Sequence, residues 1–185
     1  MNKILIITAP SGSGKTTIIK ELLKAIPNIT FSISACTRNP REGEINGKDY
    51  HFLTPEAFQE KIAADAFVEW EMVYEGKYYG TLKSELDRIW AENKLPLFDI
   101  DVKGAYNVKQ MYGDQAVSIF IKAPSIEALA ERLNNRGTET PETLKERVAK
   151  AEEELSYAPK FDHIVVNDDL TTAIAEVINI VNSIN

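Results

Sequence analysis

Apolar positions along the chain follow two rhythms. Ile4 to Ile7 is a short, unbroken apolar run closed by turn residues, the pattern of a strand buried on both faces of a parallel sheet. After Lys15 the spacing changes: Ile18, Ile19, Leu22, Leu23 and Ile26 mark one face of a helix, and Pro27-Asn28 stops it. Residues 29–35 alternate as a strand, and the polar stretch that follows carries an Asn46-Gly47 pair suited to a hairpin turn. Thr54-Pro55-Glu56 predicts a capped helix start running to Ala64. "FVEWEMVY" (67–74) reads as a strand, "EGKYYG" (75–80) as a turn and 82–92 as a helix.

A regular alternation follows. It runs through a buried strand over 95–101, a helix over 102–112 and a strand over 116–123. Ser125 caps a helix ending at Arg136-Gly137, and Thr140-Pro141-Glu142 starts another that stops before Pro159. "HIVV" (163–166) is a last strand, followed by an apolar helical stripe over 170–184. Strands alternating with helices imply an α/β fold with a parallel core sheet flanked by helices. The short strands before residue 85 break that rhythm and read as an inserted mixed α/β subdomain, and the two helices around "NNRGTETPE" read as a helical lid. The expected division of this single domain is a core of 1–31, 85–124 and 148–185, an insert of 32–84 and a lid of 125–147.

Composition narrows the classes. With 185 residues, 44% of them hydrophobic, the chain can bury one sizeable core. One cysteine, Cys36, excludes an internal disulfide and fits a reducing, cytoplasmic setting. No segment has the length of a signal-peptide core or a membrane span. A formal charge of −7 argues against broad binding to nucleic acid or anionic membrane, so an anionic substrate needs local basic groups. Five of the six arginines fall in two stretches, Arg38 and Arg41 in one and Arg132, Arg136 and Arg147 in the other, while the fifteen lysines are scattered. Arginine's planar fork meets phosphate oxygens in pairs, which favours phosphate contacts for both groups.

The first strand and first helix are joined by "APSGSGKTT". Between a strand and a helix N-terminus this is the setting of a phosphate-binding loop. Gly12 and Gly14 let backbone N–H groups turn inward, and the helix end adds partial positive charge. Lys15 would bridge the β- and γ-phosphates, and the Thr16 hydroxyl would bind Mg²⁺. Ala9 stands where the usual pattern has its first glycine, which is tolerated at negative φ. Ala9, Pro10, Ser11, Gly12, Ser13, Gly14, Lys15, Thr16 and Thr17 therefore form the expected donor-nucleotide cradle.

A phosphoryl acceptor site is expected in the insert, from Ser34, Arg38, Arg41, Tyr50, Glu69, Tyr79 and Thr81. Two arginines and two tyrosine hydroxyls make a phosphate clamp. A carboxylate such as Glu69 can accept from adjacent N–H groups of guanine, a pair that adenine lacks, and such hydrogen bonds can reject a near-isostere by roughly 10⁴-fold. His51 and His163 lack neighbours at ligand spacing and read as ordinary polar residues.

"APSGSGKTT", "SISACTRNPREGEINGKDYHF", "FVEW", "YYGT", "DIDVKG", "ERLNNRGTET" and "VNDD" occur in one order over nearly the whole chain. In this the sequence resembles the guanylate kinases. The resemblance implies a P-loop nucleotide kinase that transfers the ATP γ-phosphate to GMP, with dGMP alongside it, using Mg²⁺. It implies that Arg38, Arg41, Tyr50 and Tyr79 hold the GMP phosphate, and that Glu69, Ser34 and Thr81 read guanine with help from Asp99. Asp101 would hold Mg²⁺ through water. Arg132, Arg136 and Arg147 would reach the transferring phosphoryl group from the lid, with Arg38, Lys15 and these three as the catalytic cations. Asn167 and Asp168 match a region near the adenine. The sequence departs from the pattern at Cys36, where Ser or Thr is usual, at Lys103, where glutamine is common, and in a "VYEGKYYG" turn one residue longer, which bears on Tyr79 and Thr81. Related architectures include peptide-binding scaffolds and kinases of ribose 1,5-bisphosphate. The former have no need for Gly14-Lys15-Thr16, and the latter none for Glu69 with Ser34 and Thr81.

Overall fold

Ile4, Leu5, Ile6 and Ile7 are all fully buried, and their side chains alternate between two separate cores. They belong to β1 (Ile4–Thr8), which is followed by α1 (Lys15–Ala25) and β2 (Ile29–Phe31). The computed structural model describes residues 2–135 and 140–184, apart from the side chains of residues 73 and 74. Next come β3 (Ala35–Cys36), β4 (His51–Phe52), α2 (Pro55–Ala63), β5 (Phe67–Tyr74), β6 (Lys77–Leu82) and α3 (Lys83–Ala91). The chain continues with β7 (Leu95–Asp99), α4 (Val102–Tyr112), β8 (Ala116–Lys122), α5 (Ile126–Asn134), α6 (Pro141–Leu155), β9 (His163–Val166) and α7 (Leu170–Asn182).

The core sheet has the order β2-β7-β1-β8-β9, and every pair in it is parallel. On one face Leu5 and Ile7 pack with Ile18 and Leu22 of α1 and Val177 and Val181 of α7. On the other, Ile4 and Ile6 pack with Leu86 of α3, Val102, Ala105 and Val108 of α4, and Phe120. Covering both faces is what a parallel sheet requires, and it places the carboxyl ends of β1 and β7 along one rim, where ligands bind in such sheets.

A second sheet, β4-β3-β6-β5, is built within residues 35–82. Its small core is Phe58 of α2 stacked on Phe67 (4.3 Å) and Tyr78 (5.4 Å). The expected single strand over 29–35 is broken. β2 pairs with β7 in the core sheet, and β3 pairs with β4 and β6 in the second. The Ser32 N–H donates to the Leu97 carbonyl, after which the chain changes sheets, and alternation alone cannot mark such a change. The expected turn over 75–80 shrinks to Glu75-Gly76, because residues 77–82 form β6 with Tyr78 in the small core. Asn46-Gly47 does turn, with Gly47 at φ +76°, yet it joins no hairpin, since β3 and β4 run parallel.

Two helices, α5 and α6, lie over the phosphate-loop end. Ser125 and Thr140 accept from the N–H groups of Ala128 and Thr143, as expected of N-caps. Leu129 and Leu133 of α5 pack with Leu144, Val148 and Ala151 of α6. The expected helix end at Arg136-Gly137 lies outside the described residues.

Candidate functional site

The loop between β1 and α1 owes its shape to two glycines in the left-handed region, Gly12 at φ +91° and Gly14 at φ +89°. Gly14 is the N-cap of α1 and has no side chain to cap it, so the first N–H groups of the helix stay available to an anion. Ala9 is not among the residues with positive φ, as its place in the loop demands. The loop is held from several sides. Asn167 Nδ2 donates to the Ser13 carbonyl (2.8 Å), Arg132 Nη2 to the Asn167 carbonyl (2.9 Å) and Arg147 Nη1 to Ser11 Oγ (3.1 Å).

This loop forms one wall of a cleft of about 860 Å³. Ala9 through Thr16 line it, together with Asp99, Ile100 and Asp101 after β7 and Thr140, Thr143, Glu146, Arg147, Lys150 and Glu154 on the α6 side. Lys15 Nζ lies 2.5 Å from Asp99 Oδ1 and donates to the Ile100 carbonyl at 3.3 Å. Asp101 Oδ1 caps α4 by accepting from the Gly104 N–H at 2.9 Å.

A smaller cavity of about 240 Å³ opens beside it, lined by Ser34, Tyr50, Glu69, Glu71, Tyr79, Gly80, Asp99, Ile100 and Asp101. Thr81 Oγ1 donates to Glu69 Oε1 at 2.7 Å. Burial pushes the Glu69 carboxyl up to about 7, with the Asp101 and Glu71 charges adding to it and the Thr81 hydrogen bond opposing it. Gly80 brings β5 and β6 together here, since a Cβ at that position would lie 2.7 Å from the Glu69 carbonyl. At the outer end Arg38 is gripped by Glu44 through two 2.6 Å bonds and lies over the Tyr50 ring at 4.7 Å. Tyr50 and Tyr79 meet edge to face at 6.3 Å. Cys36 is wholly buried behind this arrangement, and burial raises its thiol pKa.

The structure thus brings together Ser34, Tyr50, Glu69, Tyr79 and Asp99 around one cavity, with Thr81 bonded to Glu69. It gathers the loop residues 9–16, Asp101 and Arg147 around the other. Arg41 is exposed and outside both linings, tied in through its backbone N–H to Glu44 (2.7 Å). Thr17 and Asp168 are exposed. Asn167 is only 4% exposed, and its amide is spent on the Ser13 carbonyl; here it props the loop. Arg136 lies outside the described residues.

Sequence reasoning missed Glu44, Glu71, Lys150 and Glu154. Glu71 follows Glu69 by two and so shares its strand face. The acidic run 152–154 divides: Glu152 and Glu153 are exposed, while Glu154 is 9% exposed and lines the large cleft. Helical spacing from Arg147 through Lys150 to Glu154 was the available signal. Burial raises the Glu154 pKa, offset in part by Lys150. Among the described residues no group of three or more His, Cys, Asp or Glu side chains could hold a metal ion, and His51 instead pairs with Glu85 at 3.1 Å.

Comparison with known proteins gives one consistent result. The family described as "Guanylate kinase" matches residues 1–184. The guanylate kinase of Porphyromonas gingivalis is 54% identical, over 96% of this chain and 95% of that protein. That of Bacteroides fragilis is 49% identical, over 97% and 88%. Among solved structures, guanylate kinase from Anaplasma phagocytophilum superposes with a TM-score of 0.76 at 30% identity, covering 98% of this chain and 85% of its own. A shikimate kinase from Bacteroides thetaiotaomicron, 10% identical with a TM-score of 0.53, shares the fold alone.

Proposed function

The chain belongs to the guanylate kinase family, an ATP:GMP phosphotransferase family, and on that premise we propose that the large cleft takes ATP and the smaller cavity takes GMP. One observation carries this assignment: Asp99, Ile100 and Asp101 line both cavities, so the two open on either side of one short wall. Two phosphate groups facing each other across it would be placed for direct in-line transfer.

Thr16 and Asp101 offer hard oxygen ligands in the large cleft, the kind Mg²⁺ shares with phosphate and water, so the residues fit that ion. When bound, Mg²⁺ neutralises charge on the β- and γ-phosphates. The chain's own residues do the remaining work. Lys15 leaves Asp99 for the bridging phosphates. Arg147, together with Arg132 and Arg136 of the lid, meets the charge spreading over the transferring group, contacts worth about 10³–10⁵ in rate. Arg38, Arg41, Tyr50 and Tyr79 hold the acceptor phosphate, whose own oxygen is the nucleophile, so no strong general base is needed. Glu69, ionised, accepts guanine N1–H and N2–H, and Thr81, Ser34 and Asp99 complete the reading of the base. We take dGMP as a second acceptor alongside GMP, to be compared with it directly.

The test is ADP release from Mg-ATP with GMP, dGMP, AMP, CMP, UMP or ribose 1,5-bisphosphate offered separately. Release that depends on GMP or dGMP supports the assignment. Release with ribose 1,5-bisphosphate alone would transfer the smaller cavity to a different acceptor. No helix among the described residues is long and apolar enough to cross a membrane. We place the activity in the cytoplasm, where both nucleotides are found.

A further inference from the structure

A guanidinium carries five N–H donors, and for Arg38 three of them are committed. Nη1 gives one to Glu44 Oε2 (2.6 Å) and one to the Asn39 carbonyl (3.0 Å), and Nη2 gives one to Glu44 Oε1 (2.6 Å). The Nε proton and the second Nη2 proton form one side edge, spaced as the fork that meets two oxygens of a phosphate, and the hydroxyl of Tyr50, itself a clamp residue, is hydrogen-bonded to the same guanidinium. The plane of that edge is fixed by the rings of Tyr50 (4.7 Å) and Phe52 (5.5 Å) beneath the guanidinium. The pair is well shielded, with side chains 12% and 20% exposed. Glu44 Oε2 also accepts from the Arg41 N–H, so one carboxylate orients one clamp arginine and anchors the backbone of the other. Both interactions hold the Glu44 carboxyl down at about 2, so the pair stays ionised over any working pH.

We propose that Glu44 is a positioning residue that turns the Nε–Nη2 edge of Arg38 toward the acceptor phosphate and fixes the backbone from which Arg41 reaches it. The inference rests on the smaller cavity being the GMP site. Its rival is electrostatic: a carboxylate beside a phosphate site could act only as a competing anion. The geometry favours positioning, because Glu44 saturates the end of the guanidinium and so sets where the side edge points.

Glu44→Gln keeps one carbonyl oxygen for the Arg41 N–H but loses the charge and the second acceptor. Calorimetry on the full chain compares GMP with guanosine, which lacks the phosphate, in the wild type, Glu44→Gln, Arg38→Ala and the double variant. The expected result is an about tenfold weaker Kd for GMP in Glu44→Gln, with guanosine changed less than about twofold. Against an Arg38→Ala background the same change should add less than about twofold, since it acts through Arg38. In turnover the KM for GMP should rise while that for ATP stays put. Glu44→Asp, charged but one methylene short, should weaken GMP as well, whereas a competing anion predicts near wild-type binding. Tighter GMP binding by Glu44→Gln, equal losses for GMP and guanosine, or independent losses from the two single variants would each overturn the proposal. Wild-type protein that fails to bind GMP at all would remove the acceptor assignment first, and this inference with it.

Discussion

Glu69 should make GMP use steeply dependent on pH close to neutrality. Its carboxyl is pushed up to about 7, against an ordinary value near 4.5, with burial the largest cause. Only the ionised form presents two acceptor oxygens to guanine; the protonated form turns one into a donor facing another donor. With a pKa of about 7, roughly nine-tenths of the free protein is ionised at pH 8 and roughly one-tenth at pH 6. The apparent affinity scales with the competent fraction, so kcat/KM for GMP should fall about tenfold between those values. The phosphate of GMP titrates in the same region, with a second pKa near 6. The assay is therefore a ratio: wild type and Glu69→Gln are profiled side by side from pH 5.5 to 8.5 at saturating Mg-ATP. Glu69→Gln should be uniformly poor, and the ratio of wild type to variant should rise about thirtyfold across the range, about tenfold of it between pH 6 and pH 8. Folding stability should move the other way. A carboxyl whose pKa is raised on folding binds protons more readily in the native state, so stability falls as pH rises from about 4.5 to about 7. That slope should vanish in Glu69→Gln. A flat ratio, or a transition near pH 4.5, would refute a raised Glu69 acting as guanine acceptor.

Further outcomes follow from the loop and the lid. Lys15→Met should lower kcat by at least about 10³ while the melting temperature shifts little, because Asp99 is 24% exposed and can be hydrated once unpaired; substantial remaining turnover would remove Lys15 from the mechanism. Gly14→Ala meets two obstacles, a φ of +89° and a Cβ only 2.3 Å from Asn167 Nδ2, and should cost about 1–3 kcal/mol in denaturant melts together with ATP affinity. Adding Asn167→Ala should relieve the clash but not the backbone strain, so recovery should be partial; full recovery would show that φ is unimportant there. Thr140→Ala removes an N-cap and should cost about 1 kcal/mol of stability, read by urea unfolding, with GMP affinity unchanged.

The donor cradle was legible because it is contiguous: strand, glycines, Lys15, Thr16 and helix follow one another, and local geometry alone brings them together. The proposed acceptor residues were legible by type rather than by position. Ser34, Glu69 and Thr81 are distant in sequence and meet only because β3, β6 and β5 pair in that order. Glu44 was not legible, because Glu42 lies two residues earlier and only the fold decides which carboxylate reaches Arg38. The strand break after Phe31 was hidden for a related reason. Residues 29–35 keep their alternation across it, and the two halves differ only in which neighbours they pair with. Asn167 shows the limit of reading by region: its place beyond β9 suggested a ligand contact, while its buried amide is used on the loop itself.

Among the described residues the chain passes between the two sheets twice, after β2 and after β6, and one carboxylate sits at both crossings. Glu85, 5% exposed at the start of α3, accepts from the Ile33 N–H (3.2 Å) and from Arg88 (2.9 Å), and meets His51 of β4. Mechanically this is a pivot with a lever attached. Ser34 is one residue from the first crossing, Thr81, which holds Glu69, is two residues from α3, and Tyr50 adjoins His51, the β4 residue that meets Glu85. Any rotation about Glu85 would therefore engage the base-reading and the phosphate-holding sides of the smaller cavity together. The acceptor would be carried as one piece, base and phosphate on the same hinge, like a card moved by its mount rather than by one corner.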